Sequence, residues 1–184
     1  MTASILLLIC LRVLQRLQIF GNNLWEQIKT TILNFHKKEE ISLRLGLTLT
    51  VASTFAPQLI ANLQEKNPTL HIHVHVDNTQ SIEAQLLENE LDIAIVEGDI
   101  HNDNIIHEAI IPDRLALVCN KDHELADKDI IHPADLYNQN FICREKGSGT
   151  RAMLEQFMNL YKTPYHICWQ STSWESIKQA VLHN

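Results

Sequence analysis

The residues with the most chemistry to offer lie in the run Phe141-Ile142-Cys143-Arg144-Glu145-Lys146-Gly147-Ser148-Gly149-Thr150-Arg151. A short apolar strand leads into a glycine-containing turn, and Met153, Leu154, Phe157 and Leu160 have the spacing of a helix that follows it. Gly147 and Gly149 let backbone amides face a ligand without side-chain interference. Ser148 and Thr150 suit the helix cap and carry hydroxyls, while Arg144 and Arg151 flank the turn with positive charge. Such a helix start attracts anions through its free amides and dipole. The run has neither the Gly-Lys-Ser/Thr of a nucleotide phosphate loop nor the glycine spacing of a dinucleotide fingerprint. Its residues leave two readings open: a small-anion site, and a capped strand-to-helix turn with solvated arginines.

Other polar side chains fall at similar places. Ligands of open α/β sheets bind beyond the carboxyl ends of the strands. Thr48, Thr50, Asn78, Thr79, Glu97 and Ser171 to Ser173 join Ser148 and Thr150 just after predicted strands. Any one of them can be a helix cap; together they predict a cleft that hydrogen-bonds a small polar ligand. His71, His73 and His75 alternate along one strand and share a face. Such a triad can hold zinc or nickel, but histidines more often cover an edge strand or an interface, and no metal is expected. Ser148 has no evident His or Asp partner, and Cys143 lies inside an apolar strand, where a thiol is inert. His107 and His123 read as surface loop residues. No catalytic set emerges.

The elements that position these residues alternate. Leu43–Leu47, Leu70–Val76, Leu91–Val96, Arg114–Cys119 and His166–Trp169 read as strands. A helix is predicted from Thr48, Thr50 and Ser53 through Leu63, another through Ile82, Leu86 and Leu87, and a short one at His132–Leu136. A last helix starts at a capping box, Thr172 with Glu175, and runs through Ile177, Ala180 and Val181. Strand and helix in alternation predict an α/β fold with mainly parallel sheets. Residues 1–40 have a heptad spacing, Leu7, Cys10, Leu14, Leu17, Leu24, Ile28 and Phe35, with Gly21 and Thr31 as weak members. That spacing predicts a helix, interrupted near Gly21, that either joins two protomers or packs on its own domain.

The chain has 184 residues, enough for one or two domains with a real core. Twenty-two acidic residues against 15 basic give a net charge of −7, which opposes binding to nucleic acid by this chain itself. The four cysteines, Cys10, Cys119, Cys143 and Cys168, form no Cys-x-x-Cys pair and read as reduced thiols of a cytoplasmic protein. The apolar run Ile5–Leu11 is too short to span a membrane, and no positive side chain precedes it as in a secretion signal.

Several segments, taken in order, resemble the effector-binding domain of LysR-type transcriptional regulators. They are Leu43-Arg44-Leu45-Gly46 to Ala56-Pro57, Asn67-Pro68, Glu90-Leu91-Asp92-Ile93-Ala94-Ile95-Val96-Glu97-Gly98, Arg144 to Arg151, and Ile177-Lys178-Gln179-Ala180-Val181. The resemblance covers roughly residues 42 to 184 and implies a periplasmic-binding-protein-like fold of two α/β subdomains, 41–111 and 112–184, after an N-terminal linker and dimerisation helix, 1–40. It implies an effector in the cleft between the subdomains. Thr48, Thr50, Asn78, Thr79 and Glu97 would contact it from one side, and Arg144, Gly147, Ser148, Gly149, Thr150 and Ser173 from the other. The form of the turn at Arg144 to Arg151 is similar to that of members that sense small anions. The expectations are a homodimer or higher homo-oligomer without catalysis, cofactor or membrane contact. DNA would be bound only through a winged helix-turn-helix, which residues 1–23 do not resemble, and the family's usual C-terminal end is expected to be missing too. A free-standing small-molecule binding protein is the alternative, and a phosphate-handling enzyme a third.

Overall fold

The computed structural model describes residues 5–10, 41–100, 102–110 and 114–183. In chain order the first elements are β1 (Ile5–Cys10), β2 (Ile41–Thr48), α1 (Leu49–Thr54), α2 (Ala56–Lys66), β3 (Leu70–Asp77), α3 (Thr79–Leu87) and β4 (Ile93–Ile95). They are followed by β5 (Leu115–Cys119), a 3-10 turn (Pro133–Leu136), β6 (Asn140–Arg144), α4 (Gly149–Leu160), β7 (His166–Ser171) and α5 (Trp174–Leu182). The chain divides into two compact units, a first of Arg12–Asp113 and a second of Met1–Leu11 with Arg114–Asn184.

In the first unit β2 is the middle strand, parallel to β3 on one side and β4 on the other. Its side chains alternate between faces. Leu43, Leu45 and Leu47 are buried against Val51, Phe55, Ala56, Leu59 and Leu63 of the α1–α2 segment. On the other face Gly46 has no side chain, and a Cβ there would lie 2.6 Å from Leu91 Cδ1, 3.1 Å from Ile82 Cγ2 and 3.3 Å from Ala94 Cβ. The glycine is what lets α3 and the approach to β4 close on the strand. Where the pattern predicts one helix from Thr48 to Leu63, the structure has two, parted at Phe55. Pro57 explains the break: it lacks an amide and fits only the first turn of a new helix.

Arg44 locks the return from α3. Its side chain donates from Nη2 to Asp92 Oδ1 at 2.7 Å, from Nε to Asp92 Oδ2 at 3.2 Å and from Nη1 to the Asn89 carbonyl at 2.7 Å. The Arg44 hydrogen bonds hold the Asp92 carboxyl below its usual range. Asn89 has φ 58°, the left-handed conformation that asparagine tolerates just past a helix end.

In the second unit the strand order is β5-β1-β6-β7. β6 and β7 are parallel, β1 runs parallel to β6 at Ile5↔Asn140 and Leu6↔Phe141, and β1 is antiparallel to β5 from Leu6↔Cys119 to Cys10↔Leu115. Along β6, Phe141 and Cys143 face Leu154 and Met158 of α4, and Ile142 faces Ile177, Ala180 and Val181 of α5. A strand covered by helices on both faces carries an unbroken apolar run.

Three sequence readings are corrected here. The heptad spacing places Leu7 and Cys10 in a helix, but both lie in strand β1; the rest of the seam, Leu14 to Phe35, lies outside the described residues. Six consecutive apolar residues suit an inner strand as well as a buried helix, and periodicity does not separate the two. The last helix is capped by Ser173, whose hydroxyl accepts from the Ser176 amide at 3.2 Å, and not by Thr172. His123 is 7% exposed rather than a surface residue. Its Nδ1 accepts from the Leu125 amide at 3.0 Å as that leucine turns into the core. This assigns the neutral ring's proton to Nε2, which is buried without a hydrogen-bond partner among the described residues.

Two outcomes follow from this packing. Gly46→Val should destabilise the chain by about 1–3 kcal/mol, because Ile82 and Ala94 cannot withdraw as Leu91 can. A chemical melt with an unchanged midpoint would contradict that. Burial lowers the His123 pKa below the ordinary 6.5, so protonation favours the unfolded chain. Its contribution is present above pH 6.5 and is lost as pH falls below that value. His123→Asn should therefore flatten the decline of melting temperature from about pH 7 to pH 5; equal slopes would contradict the role given to burial.

Candidate functional site

The carboxyl end of β6 and the turn after it carry Arg144, Glu145, Lys146 and Arg151. Arg144 is the last residue of β6 and is 4% exposed. The turn after it closes with Ser148 N donating to the Glu145 carbonyl at 3.3 Å, and Gly147 has φ 89°, which favours glycine. Gly149 does not share that need; it is the first residue of α4. Ser148 is the extended N-cap, buried, and its hydroxyl makes no capping hydrogen bond. Thr150 is buried one residue into the helix.

Two arginines meet at this turn. Arg144 donates from Nε to Glu145 Oε2 at 2.9 Å and from Nη2 to Glu145 Oε1 at 3.0 Å. Its guanidinium carbon lies 5.1 Å from the centroid of the Trp174 ring, a cation–π contact. Arg151 pairs with Glu155 one helical turn on and donates from Nη1 to the Arg144 carbonyl at 3.3 Å. Arg144 Nη1 is buried and has no hydrogen-bond partner among the described residues. Arg144, Thr150, Arg151 and Trp174, with Ile142, Cys143 and Leu154, line a small cavity of about 10 Å³, about enough for one water-sized group. Burial pushes the Cys143 thiol up to about 11, so it is no nucleophile at neutral pH.

The first unit builds a second polar cluster at its strand ends. Thr50 Oγ1 donates to Glu97 Oε1 at 3.0 Å, and Thr79 Oγ1 donates to the Glu97 carbonyl at 3.0 Å. The Asn78 side chain accepts from the Ser81 amide at 3.0 Å and so acts as the cap of α3. Thr48, the N-cap of α1, is buried, and its hydroxyl has no hydrogen-bond partner among the described residues. Within this unit Glu97 therefore gathers Thr50 and Thr79.

Sequence reasoning missed Glu145 and Trp174 as members of the second unit's cluster. Parallel pairing of β6 with β7 sets Arg144 beside Ser171, and α5 starts three residues after Ser171 with Trp174. The rule that neighbouring parallel strands share a ligand end was the available signal. His71, His73 and His75 are exposed on β3, an edge strand. Among the described residues no group of three metal-ligating side chains is placed to hold a metal ion, and no helix is long and apolar enough to cross a membrane.

The LysR substrate binding domain, as a sequence family, matches residues 36–184. The HTH-type transcriptional regulator CysL of Bacillus subtilis (strain 168) is 28% identical over 160 residues, 87% of this chain and 54% of its own length. The HTH-type transcriptional regulator CbbR of Rhizobium meliloti (strain 1021) is 36% identical over 144 residues, 76% of this chain and 45% of its own length. This chain thus spans about half the length of the curated relatives it matches. The regulatory domain of Synechocystis PCC6803 CcmR, solved in complex with 2-PG, matches with TM-score 0.68 at 29% identity, over 77% of this chain and 68% of that one. A regulatory domain of OxyR2 from Vibrio vulnificus shares the fold, with TM-score 0.65 at 21% identity over 79% of this chain and 70% of that one. The chain belongs to the LysR family, and residues 36–184 are its substrate-binding domain, with the periplasmic-binding-protein-like α/β fold of LysR regulatory domains.

Proposed function

We propose that this domain senses a small anionic effector for a LysR-type transcriptional regulator, and that the turn from Arg144 to Arg151 takes the anion. The observation that carries the reading is Arg144 Nη1, a permanently charged donor buried without an acceptor among the described residues. Leaving such a group unpaired costs about 1–3 kcal/mol, and more where it is charged. An anion oxygen would remove that cost. Gly147, Ser148, Gly149 and Thr150 supply the amides and hydroxyls around it, with Ser173 at the next strand end. In the first unit Thr48 offers a buried hydroxyl with no hydrogen-bond partner among the described residues, and we give Thr50, Asn78, Thr79 and Glu97 the role of shaping its surroundings.

The relatives are regulators, and this favours a sensor over a free-standing solute-binding protein. DNA contact belongs, in this reading, to a winged helix-turn-helix of the whole regulator, since a chain of net charge −7 repels a polyanion. The regulator acts as a homodimer or higher homo-oligomer in the cytoplasm and performs no reaction. Because the Synechocystis domain was solved with 2-PG, that compound joins sulfate, phosphate and shikimate in the first panel to test. Thr150→Val should weaken the anions that bind by about 1.5–3 kcal/mol, the value of a hydrogen bond to a charged group. Isothermal titration would read this directly, and unchanged affinity for every anion that binds would refute the assignment of Thr150 as an anion contact.

A further inference from the structure

Glu145 occupies the place where an arginine ligand would sit. Its carboxylate accepts two hydrogen bonds from one edge of Arg144, Nε and Nη2, at 2.9 and 3.0 Å. This is the forked geometry in which arginine takes a ligand carboxylate or phosphate. The pair is nearly dehydrated, with side-chain exposures of 3% for Arg144 and 17% for Glu145. Successive residues of a strand point to opposite faces; the two side chains meet because the turn begins at Glu145. Trp174 makes the cation–π contact with the guanidinium, and Nη1 is left without an acceptor among the described residues.

We propose that Glu145 is a resident competitor of the effector, a built-in carboxylate that sets how tightly the turn holds an anion. The inference rests on the anion reading of this turn. Arg144, Lys146 and Arg151 carry three positive charges against Glu145 and Glu155, a balance of +1 that becomes +2 without Glu145. An incoming anion therefore meets an arginine that is already neutralised. The water-sized cavity lined by Arg144 and Thr150 has room for one oxygen of that anion. Tight binding requires the anion to displace the Glu145 carboxylate, and a sensor built this way responds only at high effector concentration.

The test is isothermal titration of inorganic phosphate and sulfate into wild type, Glu145→Gln, Glu145→Gln with Arg144→Lys, and Thr150→Val, each first shown folded by circular dichroism. Glu145→Gln should bind at least about tenfold tighter than wild type, within reach of removing one charge close to the ligand, and Arg144→Lys should abolish the gain. Affinity unchanged or weakened in Glu145→Gln overturns the proposal, as does a gain that survives Arg144→Lys. If Thr150→Val still weakens wild-type binding in that case, the anion site stands and only the competitor role falls. If Thr150→Val changes nothing while Glu145→Gln gains through Arg144, the competitor role stands and the assignment of Thr150 falls. Absence of binding in all forms overturns both. Should Glu145→Gln fail to fold, Glu145→Asp keeps the charge but shortens the reach to the fork; it should also bind tighter than wild type, and affinity equal to wild type's overturns the proposal.

Discussion

A guanidinium kept out of water at the end of β6 constrains everything around it. Burying a charge is expensive unless it is paired and hydrogen-bonded. Arg144 meets that requirement with the Glu145 carboxylate and the Trp174 ring. Each partner depends on a backbone feature. Glu145 comes back on the arginine because the chain turns there, and Gly147 takes the left-handed conformation that completes the turn. Trp174 is in reach because β7 runs parallel to β6 and leads directly into α5. Arg151 holds the strand end from the other direction, through the Arg144 carbonyl. Arg144 Nη1 remains without an acceptor among the described residues, and the function proposed for the domain is built on it.

The first unit solves a milder problem with neutral groups. Glu97 is the acid of its strand-end cluster, and two threonines hydrogen-bond to it, one to the side chain and one to the backbone. The absence of a side chain at Gly46 decides how closely α3 and the β4 segment approach β2. Arg44 then fixes the return from α3 with three side-chain hydrogen bonds, two of them to Asp92. Thr48, at the end of the same strand, keeps a buried hydroxyl with no partner among the described residues.

Much of the fold was legible because periodicity and punctuation agreed. Leu43, Leu45 and Leu47 alternate with Arg44 and Gly46, and the unbroken run Phe141-Ile142-Cys143 marks a strand covered on both faces. The readings that failed did so where local pattern underdetermines structure. Ile5–Cys10 is apolar at every position, so the pairing with β5 and β6, which sequence does not show, decides between strand and helix. His123 sits in a polar stretch, yet two turn hydrogen bonds and the burial of Leu125 carry it inward. Ser173 outcompetes Thr172 as cap by one residue, a choice set by where β7 ends. For the candidate site, the hydroxyls, glycines and arginines were visible as types. Which of their atoms are already spent on the protein was not, because that depends on partners such as Glu145 and Trp174 that sequence alone did not bring together.

The central claim is that Arg144 Nη1 is kept for an anion. The most direct measurement is a crystal structure of this chain grown with selenate, a heavy analogue of sulfate, using the anomalous signal of selenium to locate the ion. The account predicts an anomalous peak beside the turn from Arg144 to Thr150, with one selenate oxygen within about 3 Å of Nη1, ordinary hydrogen-bond distance. Selenate bound elsewhere, with Nη1 still unpartnered or contacted only by another protein group, would contradict it.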